Sequence, residues 1–294
     1  MSLSAREAAK LFNSNRLSAL ADGDLSFVER VGSDFLGGDV SQMDVLSIYE
    51  NVYCRLSKEY RSEYYFKNII AKRRLLGKHS LNTATMLSEF RVGKSKADCV
   101  IVNGKTTCYE IKTEYDNLSR LDEQLNDYLK LFDEVFVVCS GKNLSNVLAN
   151  TDERVGVLEL TQKSFLSEKR PATPREKPID VDVLIKSLRK EEYIELVRKT
   201  VGETPNVPNS RLMSTCTSLL KTIDSSNIAT CFIEVLKEKR LNDANLINAL
   251  PDYLINAAIS YQFSSVQAEA LKQIFGANKE LICTYPTSEE NNLN

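Results

Sequence analysis

The spacing of apolar residues predicts helices over the first part of the chain. Between residues 44 and 57 they recur every three or four positions, as on the buried stripe of an amphipathic helix; they are Val45, Leu46, Tyr49, Val52, Tyr53 and Leu56. A second stripe runs from residue 60 towards Gly77, a residue type that commonly follows a helix. We therefore expect a helical N-terminal extension over residues 1–57 and a further helix after it.

The pattern changes to strands in the middle of the chain. Runs rich in β-branched and apolar residues predict five strands, at 83–92, 97–102, 106–113, 134–139 and 155–160. A helical stripe from Leu118 to Phe132 separates the third strand from the fourth. The fourth is a continuous apolar run, which is typical of a central strand covered on both faces. Residues 58–167 should thus form an α/β domain with the order αβββαβ and a mixed central sheet.

The C-terminal part returns to helical spacing. Residues 168–180 hold three prolines among charges and predict a linker. Residues 181–276 carry helical stripes and predict an all-α domain, which could bind a protein partner or a second copy. The polar end, 277–294, should be disordered.

Composition excludes several classes of protein. The chain has 294 residues, of which 43% are hydrophobic, and no apolar run long enough for a membrane span. It has no recognisable secretory leader, so a cytoplasmic location is expected. Seven scattered cysteines without a Cys-x-x-Cys pair, together with a single histidine, argue against structural zinc and against a disulfide framework.

Charge is distributed unevenly along the chain. The net charge is −2, yet residues 61–112 contain eleven basic and four acidic residues, a local charge of +7. A basic surface is the usual footprint of a nucleic acid, because neutralising phosphates releases counterions. The alternative is a solvated helix face without a partner.

Three charges stand in the predicted hairpin around Asn103 and Gly104: Asp98, Glu110 and Lys112. A two-residue turn would put Asp98 beside Tyr109, and the two carboxylates on opposite faces. A three-residue loop ending on Gly104 would pair Asp98 with Cys108 and place all three charges on one face. Both loops are common, so we predict the odd-length loop only on the condition that the charges form a site.

These residues resemble the motif of the PD-(D/E)xK phosphodiesterase superfamily, which has the restriction-endonuclease-like fold. Asp98, a turn and the tripeptide Glu-Ile-Lys at 110–112 follow in the order of that motif, although Ala97 replaces the proline that names it. Gln124 and Tyr128 on the next helix are similar to the Gln-x-x-x-Tyr element of RecB-type nucleases. The wider string resembles a largely uncharacterised bacterial family, most strongly over residues 89–139 and loosely over 60–240.

The resemblance implies a Mg²⁺ site, with Mn²⁺ as a possible substitute. The implied ligands are the carboxylates of Asp98 and Glu110, the carbonyl of Ile111, and Glu63 on the preceding helix. Carboxylate and carbonyl oxygens are the ligands that Mg²⁺ prefers, and a bound divalent ion can activate water beside a phosphate. Lys112 would orient that water and offset developing charge. Glu63 and Lys67 could instead be a simple surface ion pair.

Substrate contacts are expected along two elements. Arg120, Gln124 and Tyr128 recur every four residues and form one polar edge of a helix. Arg91, Lys94 and Lys96 would contact phosphates from the first hairpin. The alternative for the helix is a solvated face with Tyr128 half in the core.

The sequence therefore predicts a cytosolic, Mg²⁺-dependent nuclease, with DNA favoured over RNA by analogy with the superfamily. One alternative is a catalytically silent nucleic-acid-binding module with the same fold. Another is a helical interaction or scaffold protein in which the hairpin charges have no common role.

Overall fold

One six-stranded sheet with helices on both faces organises the protein. The computed structural model describes residues 3–37, 39 and 43–276. The predicted α/β class with a mixed sheet is confirmed. The tail 277–294, expected to be disordered, lies outside the described residues.

Short helices form the N-terminal extension, as the apolar spacing predicts. They are α1 (Ala5–Ala8), α2 (Ser14–Ala21), α3 (Ser26–Val31) and α4 (Val45–Glu59). Helix α1 begins with a capping box, in which the Ser4 hydroxyl accepts from Glu7 N–H and the Glu7 carboxylate accepts from Ser4 N–H. A 3₁₀ segment, Ala9–Phe12, continues directly from it. These elements are held together by the buried stripe of α4.

The central part begins with the predicted order αβββαβ, and the fifth predicted strand follows after a helix that the sequence did not predict. Helix α5 (Glu63–Ile70) is followed by β1 (Thr85–Val92), β2 (Ser95–Val102), β3 (Thr106–Lys112), α6 (Leu121–Tyr128), β4 (Glu134–Ser140), α7 (Gly141–Asn150), β5 (Gly156–Leu160) and β6 (Leu166–Arg170). The strands lie in the order β1-β2-β3-β4-β5-β6. Strands β3, β4 and β5 are parallel, and the other neighbouring pairs are antiparallel. All seven residues of β3 are buried, as a central strand requires.

Strand β6 occupies part of the segment that the sequence suggested as a linker. Its residues pair antiparallel with β5, from Leu160 opposite Leu166 to Val157 opposite Arg170. The expected linker, 168–180, therefore starts inside the sheet. The sequence did not predict β6 because its composition is charged. An edge strand can have such a composition, and none of the residues of β6 is fully buried.

The C-terminal helices pack on both faces of the sheet. They are α8 (Val181–Ser187), α9 (Lys190–Val201), α10 (Asn209–Leu220), α11 (Ser225–Lys239), α12 (Ala244–Ala249), α13 (Ile255–Ser260) and α14 (Ser265–Gly276). Helices α8 to α11 share a hydrophobic core with α6. Helices α12 to α14 share the opposite core with α5 and the N-terminal helices. The interval 181–276, expected as a separate helical domain, is thus built into the cores of the central sheet.

The hairpin between β2 and β3 has the odd-length loop that a shared face requires. Val102 pairs with Thr106, which leaves a three-residue loop in which Gly104 has φ +67°. The expected pairing of Asp98 with Cys108 is wrong by two residues, because Cys108 pairs with Val100. Continuing this register puts Asp98 opposite Glu110, at the point where the regular alternation of β2 breaks, because Ala97 and Val100 pack in one core and Cys99 in the other.

The outer edge of β1 is closed by a side chain instead of another strand. Asn242 Oδ1 accepts from the Met86 N–H at 2.8 Å, and Asn242 Nδ2 donates to the Met86 carbonyl at 2.9 Å. The asparagine thus takes the place of a neighbouring backbone. An edge strand without such cover would leave both groups unpaired.

Replacing Asn242 with alanine should lower the free energy of unfolding by about 1–3 kcal/mol, because two backbone groups of the buried Met86 lose their partners. Urea denaturation measures the change. The matched control is Asn248→Ala, which removes an exposed asparagine from α12. Equal effects of the two substitutions would mean that the clamp contributes nothing.

Within the described residues, no helix combines the length and the apolar character that a membrane span requires.

Candidate functional site

Strands β2 and β3 separate at Asp98. Their pairing ends at Cys99 opposite Tyr109. One position further, the Asp98 carboxylate accepts from the backbone N–H of Ile111 through Oδ2, at 2.7 Å. A side chain thus stands where the sheet would place a backbone acceptor. The carboxylate is held at a fork between the two strands.

Glu89 lies beside this fork with an unusual backbone. It falls between the paired residues Ser88 and Phe90 of β1, whose partners on β2 are Cys99 and Ala97. That position is opposite Asp98. Its φ is +57°, a left-handed conformation that costs a residue with a side chain about 1–3 kcal/mol and that often marks functional sites. The local twist interrupts β1 where the two acids meet.

Three carboxylates converge at the fork. Glu63, Glu89 and Asp98 each offer an oxygen, and these oxygens lie within 4.8 Å of one another. Glu63 is the first residue of α5, so the helix N-terminus brings it to the edge of the sheet. We call these three residues the acid trio. The trio joins Asp98 and Glu63, two of the expected metal ligands, and adds Glu89.

A buried lysine holds the acid trio together. Lys67 Nζ is 2.6 Å from Glu63 and also binds Glu89, while its side chain is only 9% exposed. Lys96 reaches the other oxygen of Glu89 at 2.6 Å. The pair expected as an alternative between Glu63 and Lys67 is present, with an exposed glutamate and a buried lysine that also binds Glu89.

The pKa values of these groups reflect crowding. Burial raises the pKa of Asp98, and the neighbouring carboxylates of Glu110 and Glu63 raise it further. For Lys67, burial alone would lower the pKa, but Glu63 and the other negative neighbours outweigh it and raise the pKa. Lys67 therefore remains an ammonium ion and balances part of the negative charge of the trio.

Glu110 is the centre of a second cluster on the other side of Asp98. Its Oε1 accepts from Lys112 Nζ at 2.7 Å and from Gln124 Nε2 at 2.6 Å. Its Oε2 accepts from the Tyr128 hydroxyl at 2.9 Å. Gln124 Oε1 in turn accepts from Lys112 Nζ at 3.0 Å. Burial raises the pKa of Glu110, although Lys112 and the other donors oppose the shift.

Helix α6 thus contacts Glu110 and Lys112 directly, which the sequence did not indicate. Gln124 and Tyr128 were expected to touch substrate, whereas in the structure they hold Glu110 and Lys112. Tyr128 is fully buried, which excludes the solvated helix face for this residue. Arg120, just before the helix, is exposed.

The basic residues of the segment 61–112 lie in two separate regions of the structure. Arg91 and Lys94 are exposed near the turn of the first hairpin, next to Lys96. Lys72 instead pairs with Asp252, and Arg73 lies over the ring of Phe165. Lys72 lies nine positions after Glu63, about 14 Å along a helix at the usual rise. Lys72 and Arg73, which follow α5, are therefore remote from the acid trio. The charge of this segment in the sequence did not indicate that distance.

Sequence reasoning did not assign the roles of Lys67 and Glu89. The spacing of Glu63 and Lys67 was visible, but burial of the lysine depends on α13 and β1 closing around it. The left-handed backbone of Glu89 has no local signal, because glutamate is not a residue that favours that conformation.

Fold and site together define a mixed α/β protein with two carboxylate–lysine clusters meeting at a strand fork. The model of the family described as bacteriophage P4 protein cII matches residues 56–260, well over half of the chain. The chain belongs to this family. The matched interval contains both clusters.

Individual relatives match a smaller part of this chain than the family model does. Protein cII of Enterobacteria phage P4 is 38% identical over 87 residues, which is 29% of this chain and 33% of that protein. The chain thus matches about a third of the length of this curated relative. A solved structure, the SPO1766 protein of unknown function from Silicibacter pomeroyi, is 16% identical with a TM-score of 0.29, over 37% of this chain and 70% of that one.

Replacing Tyr128 with phenylalanine should lower the free energy of unfolding by about 1.5–3 kcal/mol, because a buried carboxylate loses a hydrogen bond. The control is Tyr193→Phe on α9, a buried tyrosine outside both clusters. Chemical denaturation of both variants measures the difference. A Tyr128→Phe variant as stable as the control would show that Glu110 does not depend on this hydroxyl.

Proposed function

We propose that the protein is a divalent-metal-dependent nuclease that hydrolyses phosphodiester bonds, with DNA as the favoured substrate. The observation that carries the proposal is the junction at β2 and β3, where Asp98 binds the backbone of Ile111 between Glu110 and Lys112. The order α5, β1, β2, β3, α6, β4 supports a restriction-endonuclease-like core. Residues Asp98, Glu110 and Lys112 follow it in the motif order of the PD-(D/E)xK superfamily.

The donor set fits Mg²⁺ or Mn²⁺. Asp98, Glu63 and Glu89 supply hard carboxylate oxygens within 4.8 Å of one another. The Ile111 carbonyl belongs to the residue whose N–H holds Asp98. A bound divalent ion would neutralise charge on a phosphate and lower the pKa of a coordinated water.

In this proposal, Lys112 is the residue that orients the attacking water. Glu110 and Gln124 hold its ammonium group from two sides, so the side chain is fixed before substrate arrives. A fixed cation stabilises developing negative charge without reorganisation. In this arrangement Glu110 orients Lys112, and Tyr128 and Gln124 orient Glu110.

Removing these groups should abolish most cleavage. Asp98→Ala, Glu110→Ala and Lys112→Ala should each slow hydrolysis by roughly 100-fold or more, as loss of a catalytic acid–base group does. Gel assays with linear, circular, single-stranded and RNA substrates in Mg²⁺ measure the rates. Controls are Asp122→Ala and Glu123→Ala, exposed acids on α6. Full activity in any two of the three site variants would reject the nuclease.

Metal binding is measurable without turnover. Mn²⁺ or Mg²⁺ should raise the melting temperature of the wild-type protein, since a ligand that binds only the folded state stabilises it. Asp98→Asn should lose this rise, because the carboxylate at the centre of the site becomes an uncharged amide. Glu234→Gln, on an exposed pair with Lys199, should keep it. A rise that survives Asp98→Asn would place the metal elsewhere.

One observation favours a second function, a catalytically silent nucleic-acid-binding module. Both Glu110 oxygens are already engaged by protein donors, and Lys67 already supplies a cation to the trio. A site so well satisfied without metal would suit a fold that binds nucleic acid without cutting it. Absence of both the metal-induced stabilisation and cleavage, together with binding of nucleic acid, would select this module.

A further inference from the structure

A cleft of about 570 Å³ opens beside the acid trio. One wall comes from α1 and the 3₁₀ segment after it, with Arg6 and Lys10. The opposite wall includes Glu63, Lys67 and Glu89, and Tyr60 lines the cleft just before α5. The N-terminal extension thus lines one side of a groove whose other side includes two members of the acid trio, Glu63 and Glu89.

The cations of the N-terminal wall are exposed to solvent. Arg6 and Lys10 are both exposed, and within the described part of the chain neither forms a salt bridge. They differ in this from Lys67 and Lys96, whose charges are taken up by the trio. Two exposed cations across a groove from the acid trio are suited to phosphates on either side of a reacting one.

An aromatic platform joins this cleft to the motif strand. The ring of Tyr60 lies 4.8 Å from that of Tyr115, with the planes inclined by 34°. Tyr115 is 55% exposed although it is large and partly apolar. It stands three residues after Lys112, so the platform adjoins both the cleft and the end of β3.

The turn that carries Tyr115 is fixed by hydrogen bonds. Asp116 Oδ2 accepts from the Thr113 N–H and hydroxyl, each at 2.7 Å. Asn143 Nδ2 donates to the Thr113 carbonyl at 2.6 Å. An exposed aromatic ring on a turn held in this way is a preorganised surface for stacking.

We propose that the cleft binds an unpaired nucleic-acid strand, with Arg6 and Lys10 on its phosphates and the Tyr60–Tyr115 pair stacking a base. The strand would continue from the scissile phosphate, so the inference rests on the proposed function and names its substrate class. Only an unpaired base exposes a face for aromatic stacking. The volume of about 570 Å³ is in the range of pockets that hold one small ligand, which is enough for an unpaired nucleotide.

Fluorescence anisotropy tests the inference in Ca²⁺ or EDTA, so that turnover is not needed. The probes are a labelled thymidine oligonucleotide of about 12 nucleotides, its RNA counterpart, and a DNA duplex of equal length. Arg6→Gln with Lys10→Gln should weaken binding of the single strands roughly 10-fold and make the salt dependence shallower by about 1.4 in log–log slope. Tyr115→Ala should also weaken it roughly 10-fold, through loss of stacking.

The matched control is Lys177→Gln with Lys239→Gln, two exposed cations away from the cleft, which should leave affinity unchanged. Comparison of the DNA and RNA probes identifies the sugar that the cleft accepts. The inference is overturned if the cleft variants bind single strands as the wild type does, or if they lose duplex binding to the same extent. If the wild type cleaves and the cleft variants bind single strands normally, the nuclease proposal stands and the cleft is rejected. If binding depends on the cleft but no cleavage occurs, the cleft stands and the nuclease proposal is rejected.

Discussion

The bond from the Ile111 N–H to the Asp98 carboxylate is the contact on which the site depends. It satisfies a backbone donor with a side chain and thereby allows β2 to leave β3 at a fixed point. A carboxylate in this position is costly to bury, as the raised pKa of Asp98 indicates. The fold tolerates it because Glu110 on one side and Glu63 on the other are each paired with a lysine. The hydrogen bond that opens the sheet thus also links the two charged clusters.

The two sides of the sheet supply these clusters from different parts of the chain. Helix α6 packs on one face and brings Gln124 and Tyr128 to Glu110. Helix α5 packs on the other and brings Glu63 and Lys67 to Asp98. Since α13 shares a core with α5, and α8 to α11 share one with α6, the C-terminal helices stabilise both halves. The region expected to be a separate domain therefore supports the geometry of the site.

Strand periodicity was sufficient to predict the order of elements and the mixed sheet, and the condition that the three charges form a site was sufficient to predict the odd-length loop. They were insufficient for the register, because three-residue loops at 102–104 and 103–105 preserve the same alternation of faces. The candidate residues were found through charges placed in apolar strands, a signal that local sequence carries. Lys67 and the cleft were not found, since each depends on contacts between segments far apart in the chain. Strand β6 was missed because edge strands need little burial.

The charges at the fork leave a small negative surplus. Four carboxylates, Glu63, Glu89, Asp98 and Glu110, stand against the ammonium groups of Lys67, Lys96 and Lys112, which gives −1 when all are ionised. In the proposed function, a surplus of this sign would favour the binding of a divalent cation. With a doubly charged ion added, the same groups would carry +1. In the proposed function, binding of the metal would therefore reverse the sign of the site and favour the approach of the scissile phosphate.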